Sequence, residues 1–229
     1  MPSADSGGQA SAVPSQRPTV AALFRSHFLL PLRGVLVNRK VRTLALASLA
    51  FACTQVTYLS FLVSLLKLEH GMSLALAAGL LSASQLMSVM ARIGWGYVSD
   101  RWVDPGKVLG LLGLGMAISI LVLGLVPADA PWPVMLAIAL ACAATAVAWN
   151  GVYYADLVRH VPPAEVASAT GATQFLTFLG GMSGAAGFAG LVSLAGNYSI
   201  AFALTAALPA LSGVVLLREA RRERLARQG

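Results

Sequence analysis

Polar side chains set inside long apolar runs are the residues here that could do chemistry. Thr54, Gln55 and Tyr58 fall in one such run, Gln85 in a second, Trp149, Asn150 and Tyr153 in a third, and Gln174 in a fourth. None is charged. Amide, phenol, indole and hydroxyl groups can hydrogen-bond a polar solute, but alone they cannot split a bond or carry a proton. Polar groups at hydrocarbon depth must face protein or water. Each therefore has two readings. It either bonds a neighbouring helix, contributing about 0.6–2 kcal/mol, or it contacts a solute.

Their spacing puts them on single helix faces. Ser82, Gln85, Ser88 and Arg92 step by three or four residues, as do Thr170, Gln174, Thr177 and Gly181. Thr54, Tyr58 and Phe61 form a third stripe with Gln55 at its edge, and Asn150, Tyr153 and Tyr154 lie three and four apart. His27, His70 and His160 all lie outside the apolar runs, so these runs offer no obvious proton carrier.

One enzyme motif is present. Gly181-Met-Ser-Gly184 matches the Gly-x-Ser-Gly of rhomboid-type intramembrane serine proteases. That chemistry needs a histidine within reach of the serine, and no histidine follows His160. The chain is expected not to be an enzyme and to need no cofactor. Cys53 and Cys142 both sit in apolar runs, and no Cys, His and carboxylate cluster has metal-ligand spacing.

The elements that must position these residues follow from composition. The 229 residues are 57% hydrophobic and only 11% charged, with mean hydropathy +0.75. Soluble domains run near about 25% charged. Runs of about 18 or more apolar residues are membrane-span candidates, and six occur, near 43–66, 74–93, 108–126, 134–155, 166–195 and 200–217. The fold class expected is an all-α membrane protein. Residues 1–20, rich in Ser, Ala, Pro and Gly, read as disordered. Residues 21–42 read as a basic segment, either a surface amphipathic helix or a linker. Residues 43–217 form the membrane domain and 218–229 a basic tail.

Six spans place both termini on one side. Of the 16 Lys and Arg, all but Lys67 fall in the tails and the even-numbered loops, counting Arg92, on which the second span ends, with the loop that follows it. That asymmetry predicts cytoplasmic termini. The net charge of +7 is spread in this way rather than gathered on one soluble module, which argues against nucleic acid as a partner. Spans one to three start near 43, 74 and 108, and spans four to six near 134, 165 and 199, an offset of about 91 each. Two three-helix units inserted in opposite senses give that pattern. Spans three and six are the poorest in polar residues and are expected to face lipid, with the other four facing inward.

Between spans two and three lies Arg92-Ile-Gly-Trp-Gly-Tyr-Val-Ser-Asp-Arg-Trp102, read as a charged turn in which Gly94 and Gly96 permit close backbone approach. Asp104-Pro105 offers a helix cap and first-turn proline. Gly96-x-x-x-Asp100-Arg101 resembles the loop signature of the major facilitator superfamily, G-x-x-x-D-[RK]-x-G-R-[RK], with Val103, Asp104 and Pro105 where the family has Gly-Arg-Arg. Pro31-Leu-Arg-Gly-Val-Leu-Val-Asn-Arg-Lys40 looks like the end of the central cytoplasmic loop of such permeases.

The resemblance implies half of a twelve-helix fold, the C-terminal six helices of a bacterial inner-membrane permease. It implies transport of a small solute by alternating access, and a partner that is an N-terminal six-helix half or a second copy. It implies a gating role for Arg92, Gly94, Gly96, Asp100 and Arg101. Asp100 would cap a helix or pair with Arg101 or Arg92. Thr54, Gln55, Tyr58, Gln85, Trp149, Asn150, Tyr153 and Gln174 would line the solute pathway. Gly180-x-x-x-Gly184 reads as helix packing, a gating bend being the alternative. A non-transporting six-span scaffold or sensor is the other reading of the whole chain.

Overall fold

A computed structural model describes residues 37–226 and Gln228. The expectations for residues 1–36 lie outside these. Six helical spans long and apolar enough to cross a membrane follow one another: Arg39–Leu68, Leu74–Arg101, Pro105–Leu125, Trp132–Val158, Pro163–Ala195 and Tyr198–Ala226. Among the described residues there is no strand. Helices satisfy every backbone donor and acceptor within one segment, as hydrocarbon requires.

The caps lie where short polar side chains meet apolar runs. Asn38 accepts from the backbone of Lys40 and Val41, Ser73 from Leu76, Asp104 from Gly106, and Asn197 from Ile200. Pro105 stands at the first turn of the third span. Gly196, with φ 75°, ends the fifth span in the left-handed conformation that glycine adopts without penalty.

The helices outrun the sequence boundaries at the charged end. The first begins at Arg39 rather than 43, and the sixth continues to Ala226 through most of the expected tail. The largest revision concerns Arg92–Trp102. It is no turn: the second span is helical through Arg101, and the chain leaves it only at Trp102–Asp104. Gly94 and Gly96 cost the helix about 1 kcal/mol each against alanine, which the surrounding apolar turns absorb. The close backbone approach expected of them is absent among the described residues, because a Cβ at either position meets nothing within 4 Å.

Packing follows a pseudo-symmetric scheme. The first span packs most extensively on the fifth, the fourth packs on the second, and the third packs on the sixth. Exchanging spans one to three with four to six turns the first pair into the second and leaves the third unchanged. This is the arrangement of two inverted three-helix repeats.

Two spans are interrupted. The fourth is α-helical over Trp132–Cys142, widens to a π turn over Ala143–Val147, and resumes at Asn150–Val158. The sixth breaks at Ala206, between Tyr198–Thr205 and Ala207–Ala226. Pro209 follows that break and cannot donate to Thr205.

The third span, expected to face lipid, is the most enclosed: 61% of its most apolar stretch is buried, against 22% for the second span and 28% for the fifth. Glycines explain it. Gly110 abuts Leu217, Gly113 lies against Gly213 and Phe51, and Gly124 meets the backbone of Ser199 and Ala203. Small residues let helices approach, so a helix without polar groups can still be interior. Its remaining face, Leu111, Ile118, Leu121, Val122 and Leu125, is exposed and apolar at helical spacing, suited to lipid.

Candidate functional site: a polar seam around the interrupted fourth span

The first, second, fourth and fifth spans bring most of the expected pathway residues together around the fourth. Its π turn and the break after it leave backbone carbonyls without the usual helical donor. The second span supplies two. Trp95 Nε1 donates to the Ala144 carbonyl at 2.8 Å, and one turn earlier Arg92 Nη2 donates to the Val147 carbonyl at 3.3 Å. The Asn150 side-chain amide donates to the same Val147 oxygen at 3.4 Å. Arg92 and Trp95 thus act as external caps for an irregular stretch of the neighbouring helix.

The first and fifth spans tie on from the other side. Trp149 Nε1 donates to Gln55 Oε1 at 2.9 Å, and the Tyr154 hydroxyl donates to Gln174 Oε1. Phe51, Trp149, Tyr153 and Tyr154 run edge to face in sequence, with centroids 5.5, 5.5 and 5.2 Å apart.

Burial divides the pathway residues. Gln55, Gln85, Asn150 and Gln174 are half-buried. Thr54, Tyr58, Trp149 and Tyr153 are enclosed between helices. Thr54 bonds the Ala50 carbonyl of its own helix, and the Tyr58 hydroxyl donates to the Ala139 carbonyl of the fourth span at 3.0 Å. Of these enclosed groups, Tyr58 and Trp149 tie spans together by hydrogen bonds in this arrangement. Thr177 does the same, donating to Ser48 at 2.9 Å.

Gly180 and Gly184 face the first span. A Cβ on Gly180 would collide with the Leu49 backbone, and one on Gly184 would lie 2.6 Å from the Cys53 Cα. Ser183, in the protease-like motif, spends its hydroxyl on the Leu179 and Gly180 carbonyls.

At the end of the second span, Asp100 and Arg101 are exposed. The expected ion pair of Asp100 with Arg101 or Arg92 is absent among the described residues. Arg101 instead lies over the Tyr97 ring, 5.7 Å from its centroid, and Arg92 is turned to the fourth span.

The charges that do pair were not singled out in the sequence. Lys40 Nζ lies 2.9 Å from Glu223 and 3.5 Å from Asp156, and His160 lies 3.5 Å from Asp156 and 3.7 Å from Glu223. Arg39 pairs with Glu219 at 2.7 Å, and Arg159 with Asp104 at 3.6 Å. One cluster therefore joins the ends of the first, third, fourth and sixth spans. The i,i+4 spacing of Asp156 and His160 was the available signal, but their partners are far away in sequence.

Among the curated proteins none matches the chain. The family model described as Major Facilitator Superfamily matches it twice, over residues 4–185 and over residues 44–228. With six membrane-length helices in an inverted-repeat arrangement, and a match spanning nearly its whole length, the chain belongs to the Major Facilitator Superfamily, a family of membrane transporters.

Proposed function

We propose that this protein moves a small solute by alternating access, as the C-terminal six-helix half of a permease. A second six-helix unit, either an N-terminal half or a second copy of the chain, would complete the cavity. The observation that carries the reading is the uneven cover of the bundle. The second and fifth spans are the least buried, and Gln85, Arg92 and Gln174 lie on them. A transport route lined by hydrogen-bonding groups needs a face that another unit can close over and release.

Asp100, Arg101, Gly94 and Gly96 fit the same picture. They sit at the end of the second span, the two charges exposed and the two glycines open to space, where the helix ends of a second unit could be braced. The charge asymmetry supports cytoplasmic termini, and the placement in a bacterial inner membrane rests on the family resemblance alone.

The test is solute counterflow in vesicles carrying the chain with and without a co-expressed six-span unit, together with reporters after Gly229 and near Ala128. The reading expects flux that depends on the second unit and falls with Asp100→Asn, a cytoplasmic Gly229 reporter and an external Ala128 reporter. Inserted, folded protein without flux in either case would favour the scaffold. A cytoplasmic signal from Ala128 would overturn the topology.

A further inference from the structure

Arg92 stands apart from the other polar groups of the seam because it is a full charge at membrane depth. The second span has 28 residues, about 42 Å at about 1.5 Å per residue, and Arg92 lies about 27 Å from its start at Leu74. A hydrocarbon core of about 30 Å centred on such a helix contains it. Charges there face a water-filled cavity, meet an opposite charge or bond backbone carbonyls. Among the described residues Arg92 makes no ion pair. It is exposed, and one of its nitrogens is anchored on the Val147 carbonyl. A guanidinium has five N–H donors in a fixed plane. Anchoring one through an interrupted helix orients the others without using them.

The surroundings suit an anion. Asn150 is held beside Arg92 by the same carbonyl. Gln85, two turns earlier on the same helix face, is half-buried and neutral, and Trp95, one turn later, is fixed on Ala144. We infer that Arg92 binds the anionic group of the transported solute, a carboxylate or phosphate oxyanion, with Asn150 as a neutral neighbour that orients it. This rests on the transport reading and adds the solute's charge class. A planar oxyanion can take two parallel N–H donors from arginine, which ammonium cannot offer. The rival is an acidic side chain of a second polypeptide that neutralises Arg92 permanently.

The experiment is calorimetric titration of the purified full chain in lipid nanodiscs with acetate, succinate, benzoate and inorganic phosphate, against benzamide as the neutral isostere of benzoate and chloride at equal ionic strength. At least one oxyanion is expected to saturate the protein, with no saturation by benzamide or chloride. Arg92→Gln weakens that binding at least tenfold, and Arg92→Lys, which keeps the charge but loses the fork, gives an intermediate affinity. Should Arg92→Gln lower the melting temperature, the Arg92→Lys comparison alone decides. Three results would overturn the assignment: no oxyanion saturates the wild type, chloride binds equally well, or the Arg92 variants bind as tightly as the wild type. Flux assays separate this from the transport reading. Flux of neutral or cationic solutes without oxyanion binding sinks the anion site alone, whereas oxyanion binding without any flux sinks transport and leaves the site.

Discussion

Alanine substitutions along the fifth span should have opposite effects within about three turns of one helix. At Gly180 a methyl would collide with the Leu49 carbonyl and Cα, and at Gly184 it would lie 2.6 Å from the Cys53 Cα. Both obstacles are backbone, so no rotamer change relieves them. The helices must part, and overpacking of that kind costs about 1–3 kcal/mol or more. The fifth span is the first span's most extensive neighbour, so separating them also loosens the Thr177–Ser48 hydrogen bond. At Gly187 and Gly190 the same methyl meets nothing within 4 Å. There the change removes only glycine's conformational cost, and the helix gains up to about 1 kcal/mol. The assay is reversible denaturation of the purified chain in mixed micelles, with helicity followed by circular dichroism. Gly180→Ala and Gly184→Ala should each lower stability by at least about 1 kcal/mol, while Gly187→Ala and Gly190→Ala leave it unchanged or raise it. Equal effects at all four positions would refute the packing of these two helices.

Two further perturbations probe other parts of the fold. Lys40→Met leaves Asp156 and Glu223 facing each other without their shared cation and should destabilise the protein toward the lower end of the about 3–5 kcal/mol seen for broken buried pairs; Lys40→Met with Asp156→Leu should recover much of it, and a double variant as unstable as the single would show that the pair is not coupled. In a chain with Cys53 and Cys142 replaced by alanine, cysteine at Gln55, Gln85, Asn150 or Gln174 should react with a membrane-impermeant thiol reagent, whereas cysteine at the enclosed Thr54 or at the lipid-facing Ile118 or Leu208 should not; uniform labelling would remove the distinction between cavity, interior and lipid.

Span number, the asymmetry of basic residues, and the cap at Asp104 were legible because each depends on neighbouring residues. The second span's end was misjudged because glycines and charges punctuate soluble helices, whereas this long membrane helix runs through Gly94 and Gly96 and carries Asp100 and Arg101 past the hydrocarbon boundary. The third span's burial was hidden because counting polar groups ignores glycine, whose small size made Gly110, Gly113 and Gly124 contact sites. The π turn at Ala143–Val147 has no local signature, for Ala-Ala-Thr-Ala-Val reads as ordinary helix. Its partners are tertiary, the Trp95 and Arg92 donors that meet its carbonyls. The Lys40, Asp156 and Glu223 cluster was invisible because its members approach only when three helix ends converge.

That convergence has a consequence for biosynthesis. Of the six spans, the first to leave the ribosome is also the one whose partners are made last. Thr177 reaches back 129 positions to Ser48, and Glu219 reaches back 180 positions to Arg39. During translation the first helix must therefore wait in the bilayer without the fifth, its principal neighbour, and with Lys40 unmatched by Glu223. Insertion of this chain and closure of its bundle are separate events in time, and the second cannot finish until the ribosome has passed the last helix.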